Sequence, residues 1–133
     1  RLPGGGAAGG LGAALVAFCG ARLVPGIDLV LKTARFDQRV RSADLVLTGE
    51  GKIDDQTLYG KAVLGVARAA RRRGVPVIAF AGRVTASPRT LAALHRAGVR
   101  AVIPIAPRSM PEREAFRRAA ALLAAAAARV VKY

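Results

Sequence analysis

Apolar and polar positions change their rhythm near residue 43. Before it, Leu11, Leu15 and Phe18 recur at helical spacing after a Pro-Gly-Gly-Gly opening. Val24-Pro25-Gly26 closes that element. The spacing then predicts a short helix from Ile27 to about Ala34, with Leu29 and Val30 inward, and one more helical turn over Phe36–Arg41. After it, the run ADLVLTGEG is short, apolar and closed by glycines, which reads as a buried strand. Thr57–Arg73 follows as a helix, with Leu58, Ala62, Val63, Val66, Ala67 and Ala70 on one stripe. Arg71, Arg72 and Arg73 crowd its last turn and Gly74 stops it.

VPVIAFAG is the second strand. Ser87-Pro88 predicts an N-cap and first-turn proline for a helix over Pro88–Ala97, ended by Gly98. VRAVIPIAP is the third strand. Ser109 and Glu112 have capping-box spacing, and the last helix is expected from about Pro111 to Val131. Strand and helix thus alternate three times from Ala43 onward. Continuously apolar strands joined by helical crossovers predict an α/β fold, a parallel sheet with helices on both faces. Right-handed crossovers put all strand C-termini on one edge, where open α/β sheets bind ligands. The loops on that edge are Thr48–Gln56, Gly82–Ser87 and Ala106–Met110.

The first of these loops is chemically dense. TGEGKIDDQTLYGK holds three carboxylates, two lysines and three glycines. Gly49 and Gly51 would let the backbone approach a ligand and adopt positive φ. The amides of the following helix would face an anion. Glu50, Asp54 and Asp55 could hold a magnesium ion or take a proton from a hydroxyl. Lys52 and Lys61 could neutralise phosphate. An ordinary strand-to-helix turn needs one capping carboxylate, and Asp55 is the expected cap. Three carboxylates exceed that need, so the group as a whole reads as a ligand site.

PGGGAAGGLG, Pro3–Gly12, matches a dinucleotide fingerprint at Gly4-x-Gly6-x-x-Gly9 by letters, but no strand precedes it here. It can still cradle an anion through its amides, or serve only to pack helices closely. The phosphate-loop pattern fails: neither Gly51-Lys52 nor Gly60-Lys61 is followed by Ser or Thr. His95 reads as a solvated histidine late in a helix. Cys19 reads as a packed thiol; a single cysteine excludes an internal disulfide and fits a reducing compartment, the cytoplasm.

Composition adjusts this picture at two points. The 133 residues suffice for one domain with a core, and 53% hydrophobic residues exclude disorder. No run of about 18 purely apolar residues occurs. The formal charge of +14 would attract anions. Nearly all of the excess is arginine dispersed in an Ala/Gly/Arg-rich chain, and only 5% of residues are aromatic, which disfavours nucleic acid. Arg1 opens the sequence inside a motif, which suggests part of something longer.

Together, PGGGAAGGLGAALVAF, GIDLVL, ADLVLTGEGKIDDQTLYGKAVLGVARAA and GVPVIAFAG resemble the glycerate kinase family, with its T-G-E-G-x-[IL]-D-x-Q-T signature. Thr48, Gly49, Glu50, Gly51, Asp54, Gln56, Thr57, Gly60 and Lys61 all match. The resemblance covers almost the whole chain and weakens after about Gly82. It implies ATP-dependent phosphorylation of a hydroxyl of D-glycerate, giving 2- or 3-phosphoglycerate, with magnesium. It implies a two-domain α/β enzyme whose C-terminal third this chain matches. Residues 1–42 would be the glycine-rich loop and helices, and 43–133 a βαβαβα unit, a Rossmann-like half.

The roles this implies are as follows. Glu50, Asp54 and Lys61 would be catalytic, with Glu50 and Asp54 able to hold the metal. Thr48, Gly49, Gly51, Lys52, Gln56 and Thr57 would bind substrate or phosphate. Gly4, Gly6, Gly9 and Gly10 would cradle a second anionic group. Partners would be D-glycerate and ATP, together with a second copy of the chain or the N-terminal part of the enzyme, and no membrane. The family's N-terminal signature is absent, so this piece alone is not expected to catalyse. A non-catalytic nucleotide or sugar-phosphate module, or a basic nucleic-acid binder, are the other readings.

Overall fold

A computed structural model describes residues 2–131. Three strands, β1 (Val46–Ile53), β2 (Val77–Val84) and β3 (Val99–Pro104), form one parallel sheet in that order. The helices, in chain order, are α1 (Leu11–Cys19), α2 (Gly26–Thr33), α3 (Phe36–Arg39), α4 (Ala62–Arg71), α5 (Pro88–Ala97), α6 (Glu112–Arg117) and α7 (Ala119–Val130). Short 3-10 turns cover Ala7–Gly10, Val40–Ser42 and Asp55–Leu58.

Strand order and crossover rule together decide which helix covers which face. Two successive right-handed crossovers stepping the same way put α4 and α5 on one face, and these two helices pack on each other. Their apolar sides meet Val77, Ala79 and Ala81 of β2 in one core with Ile53, Val63, Leu64, Leu94 and Val99. The side chain between two of these, Phe80, belongs to the opposite face, where α7 crosses β2 and Leu123 approaches. The predicted α/β class and parallel pairing are therefore what the chain adopts. No helix among the described residues is long and apolar enough to cross a membrane.

Several boundaries depart from the sequence reading. β1 does not stop at the glycines; Lys52 pairs with Arg83 and Ile53 with Val84. The next helix does not start at Thr57. Asp55–Leu58 is a 3-10 turn, Gly60 takes φ 93°, and α4 begins only at Ala62. A left-handed residue ends one helical segment before another can begin. The last helix is two, because Arg118 leaves helical geometry at φ −100° and ψ 7°. The bend lets α6 cover the ends of β1 and β2 while α7 runs across β2. Pro111 takes the N-cap position of α6 with no side-chain cap, so the Ser109–Glu112 capping box is not formed.

The N-terminal helices show the limit of periodicity. Ile27 faces inward from α2, against Gly65 of α4, while Leu29 and Val30 are exposed. Phe18 is 88% exposed and Cys19 is exposed too, contrary to the packed thiol expected. α3 is tied to the end of α4 by the Arg73–Asp37 ion pair, and this hydrogen-bonded guanidinium lowers the Asp37 pKa.

Two constraints fix the ligand edge. A Cβ on Gly82 would lie 2.6 Å from the Gly51 carbonyl oxygen, so β1 and β2 approach there only because residue 82 has no side chain. Asp55 then ties the turn after β1 to α5. Its Oδ1 accepts from the Ser87 amide at 2.9 Å and the Ser87 hydroxyl at 2.8 Å. Ser87 in turn caps α5, accepting from the Thr90 amide at 3.3 Å. A hydrogen bond from the Thr90 side chain, and then those from the Ser87 amide and hydroxyl, hold the Asp55 carboxyl below its ordinary pKa.

The first constraint predicts that Gly82→Ala costs about 1–3 kcal/mol by overpacking. Gly51→Ala, whose Cβ would meet nothing within 4 Å, should stay close to wild type. Equal denaturation midpoints for the two variants would refute this account. For Asp55 the folded pKa is depressed, so its contribution is present above the unfolded value of about 4 and lost as pH falls through the folded one. The difference in Tm between wild type and Asp55→Asn should hold from about pH 8 to about pH 5 and shrink below about pH 4. A pH-independent difference would mean that the carboxylate charge contributes nothing.

Candidate functional site

The C-terminal end of β1 and the turn after it deliver the signature residues to one edge. Thr48, Gly49, Glu50 and Gly51 are all strand residues, paired in register with Ala79, Phe80 and Ala81 as far as Glu50. Neither Gly49 nor Gly51 adopts positive φ, so the expected left-handed turn is not there. It is displaced to Gly60 because the strand continues through the glycines. At Gly49 a Cβ would touch the Phe80 carbonyl at 3.5 Å, ordinary contact, so neither glycine is required by crowding on its own strand.

Glu50 is the feature that packing leaves unexplained. Its Oε2 is buried and has no hydrogen-bond partner. The residue lines a cavity of about 230 Å³ with Gly82, Arg83, Ile105, Glu112 and Phe116. An unpartnered buried carboxylate oxygen costs on the order of 1–3 kcal/mol or more, so such a group calls for a ligand.

Asp54 has the opposite character. Every part of it is engaged. Its Oδ1 accepts from the Gln56 amide at 3.1 Å and lies 3.4 Å from the Lys61 ammonium; its Oδ2 lies 3.8 Å from that of Lys52. Asp54, not Asp55, is the cap, and it forms a capping box with Thr57, whose Oγ1 accepts from the Asp54 amide at 3.0 Å. Thr57 is fully buried, so its hydroxyl serves the turn. Gln56 is exposed beside it. The two lysines expected to neutralise phosphate are therefore gathered by Asp54 on one side of the turn.

The acidic residues do not assemble into a cage. Among the described residues no group of three or more His, Cys, Asp and Glu lies close enough to hold a metal ion. Glu50 has a free carboxylate oxygen, as a magnesium ligand requires; Asp54 is already balanced by two ammonium groups.

The glycine-rich segment stands apart. Gly4, Gly9 and Gly10 take positive φ, as does Ala8 at 51°, whereas Gly6 does not. Cβ atoms on Gly6, Gly9 or Gly10 would meet nothing within 4 Å. Close packing is found at Gly5, where a Cβ would lie 3.1 Å from the Leu2 carbonyl oxygen, and at Gly12, where one would lie 3.2 Å from Leu23, while Gly6, Gly9 and Gly10 stay open. His95 is exposed in the last turn of α5, as expected, and its Nδ1 lies 3.1 Å from the Val99 carbonyl.

Sequence reading overlooked Arg83. It pairs with Lys52 across the strands, lines the Glu50 cavity, and donates from Nη2 to the Met110 carbonyl at 3.0 Å. The available signal was positional: a cation directly after a strand-ending glycine, in a loop already assigned to the ligand edge. It also overlooked the Asp55–Ser87 tie, which joins residues 32 apart and leaves no trace in local spacing.

With this arrangement described, likeness to known proteins can be set beside it. A family model described as the glycerate kinase family matches residues 1–133. A glycerate kinase of Halalkalibacterium halodurans is 48% identical over 126 residues, 95% of this chain and 32% of that protein. A glycerate 2-kinase of Escherichia coli is 42% identical over 118 residues, 89% of this chain and 30% of that protein. A solved crystal structure, the glycerate kinase 2 candidate of Salmonella typhimurium, matches with a TM-score of 0.60 at 41% identity, over 96% of this chain and 33% of that one. The chain spans about a third of the length of these relatives. It belongs to the glycerate kinase family.

Proposed function

We propose that the protein carrying this chain transfers the terminal phosphoryl group of ATP to a hydroxyl of D-glycerate, and that this segment supplies the acceptor side of the site. The observation that carries the reading is the buried, unpaired oxygen of Glu50, a residue that lines a cavity at the strand C-termini. A carboxylate in that state is suited to accept a hydroxyl proton or to orient the hydroxyl for in-line attack. The E. coli relative is called a glycerate 2-kinase, which makes the 2-hydroxyl the first acceptor to test.

Phosphoryl transfer asks for positioning and charge neutralisation more than for covalent help. Lys52 and Lys61 meet that need. Asp54 fixes their ammonium groups near one another, and both retain exposed surface with which to meet an anion. Asp54 is then a positioning residue, acting through the lysines and through the turn it caps. The amides of Gly49 and Gly51 and the Thr48 hydroxyl are available to the small substrate. The open loop at Gly4–Gly10 is suited to a second anionic group.

Magnesium fits on one count. This ion commonly takes one or two carboxylates and completes its shell with phosphate oxygens and water, and Glu50 can be such a carboxylate. When bound, it would neutralise charge on the transferred group. Asp54, as arranged here, does not add a second ligand.

In the full-length protein, Glu50→Gln should lower kcat about 100-fold or more while leaving the circular dichroism spectrum unchanged. Asp54→Asn keeps a capping side chain but loses the charge that gathers the lysines. It should also lower turnover by orders of magnitude, with a raised KM for the anionic substrates. Wild-type turnover in Glu50→Gln would sink the assignment. Separating 2- from 3-phosphoglycerate among the products identifies the hydroxyl.

A further inference from the structure

A second, larger opening shares Gly82, Arg83 and Ala106 with the Glu50 cavity. The loops after β2 and β3 enclose a cleft of about 630 Å³, within the usual range for a small-ligand site. Its polar side chains are Arg83, Thr85 and Arg108, and no acidic residue lines it. Asp55, the carboxylate of the adjoining turn, is occupied by the Ser87 amide and hydroxyl. Prolines 104 and 107 stiffen the β3 side. On the other side, the Arg83 guanidinium is held in place by the Met110 carbonyl. The cleft occupies the sheet edge to which strand C-termini direct ligands.

From this we infer that the cleft between the β2 and β3 loops is a phosphate-binding subsite, with Arg83 and Arg108 as its ligand-contacting residues. Two guanidinium groups and a hydroxyl present donors without acceptors, matching a group that offers several charged oxygens and no hydrogen to donate. A positioned fork such as that of Arg83 loses less freedom on binding than a free one. Because Arg83 also lines the Glu50 cavity, a phosphate in the cleft would lie next to the carboxylate proposed to orient the acceptor. Which phosphate it is, that of the nucleotide or that of the phosphorylated product, rests on the kinase reading above. The capacity to bind phosphate does not.

Equilibrium titration of the full-length protein distinguishes these. ATP, ADP, 3-phosphoglycerate and inorganic phosphate serve as probes, with adenosine and D-glycerate as phosphate-free controls. Arg108→Ala, exposed at the cleft rim, and Arg83→Ala should each weaken the phosphate-bearing probes about tenfold or more; Arg108→Ala should leave both controls, and Arg83→Ala should leave adenosine, within about twofold. Arg96→Ala, in α5 and outside the cleft, should change none of them. Loss confined to the nucleotides assigns the subsite to the donor, and loss confined to phosphoglycerate assigns it to the product. Either supports the inference. Unchanged affinity for every phosphate-bearing probe in a folded Arg108→Ala protein overturns it, and that variant decides alone if Arg83→Ala does not fold. Absence of glycerate phosphorylation by the wild type would dispose of the kinase reading and leave these affinities to be read as before.

Discussion

The contact between Gly82 and the Gly51 carbonyl sets the geometry of the whole ligand edge. β1 and β2 are paired up to Glu50 and Ala81, and again at Lys52 and Arg83. Between those pairs the backbone of one strand enters the space that a side chain on the other would fill. The residues on either side of the contact are those proposed to carry the chemistry. Glu50 precedes it, Lys52 follows it, and Arg83 follows its partner glycine. Widening the strands at this point would move a carboxylate, an ammonium and a guanidinium together. A rigid sheet is a better platform for such groups than a loop, because backbone pairing fixes where each side chain starts.

Charge is partitioned along that edge. Asp54 gathers Lys52 and Lys61, and Asp55 is spent on holding α5 in place. Exposed ion pairs of this kind contribute little stability. Their effect here is one of placement, since a side chain held by two partners has one position to occupy. Glu50 alone is left with an oxygen buried and unanswered. Two carboxylates of one motif thus differ in environment: Asp54 is engaged by the Gln56 amide and two ammonium groups, while Glu50 keeps an oxygen with no partner.

Much of this was legible before any coordinates. The three strands follow from short apolar runs closed by glycine or proline, and the order of elements fixes which ends of the strands share an edge. Ser87 capping α5 and Gly98 ending it are local chemistry, and local chemistry is written in adjacent residues. What was misread depended on distant partners. Asp54 and Asp55 are indistinguishable as caps by sequence; Ser87, 32 residues on, claims one and so leaves the other to the turn. Leu29 and Val30 have the right period for burial, but a period describes a stripe and not what covers it. α4 starts late because the 3-10 turn that Asp54 caps and the left-handed Gly60 stand between it and β1.

Arg83 shows why the edge is more than the motif that announces it. The signature residues all come from β1 and the turn after it. A phosphoryl group in transfer must be held while a hydroxyl approaches, and those tasks call for opposite charges close together. β1 brings the carboxylate. β2 brings the arginine, a residue that lines both the cavity with Glu50 and Glu112 and the cleft with Arg108. Parallel pairing sets the two strands side by side with their C-termini level, so acid and base arrive at the same height without either strand having to bend. Had β2 run antiparallel to β1, the end that follows Gly82 would lie at the opposite edge of the sheet, and the opposing charges would be separated by the length of a strand.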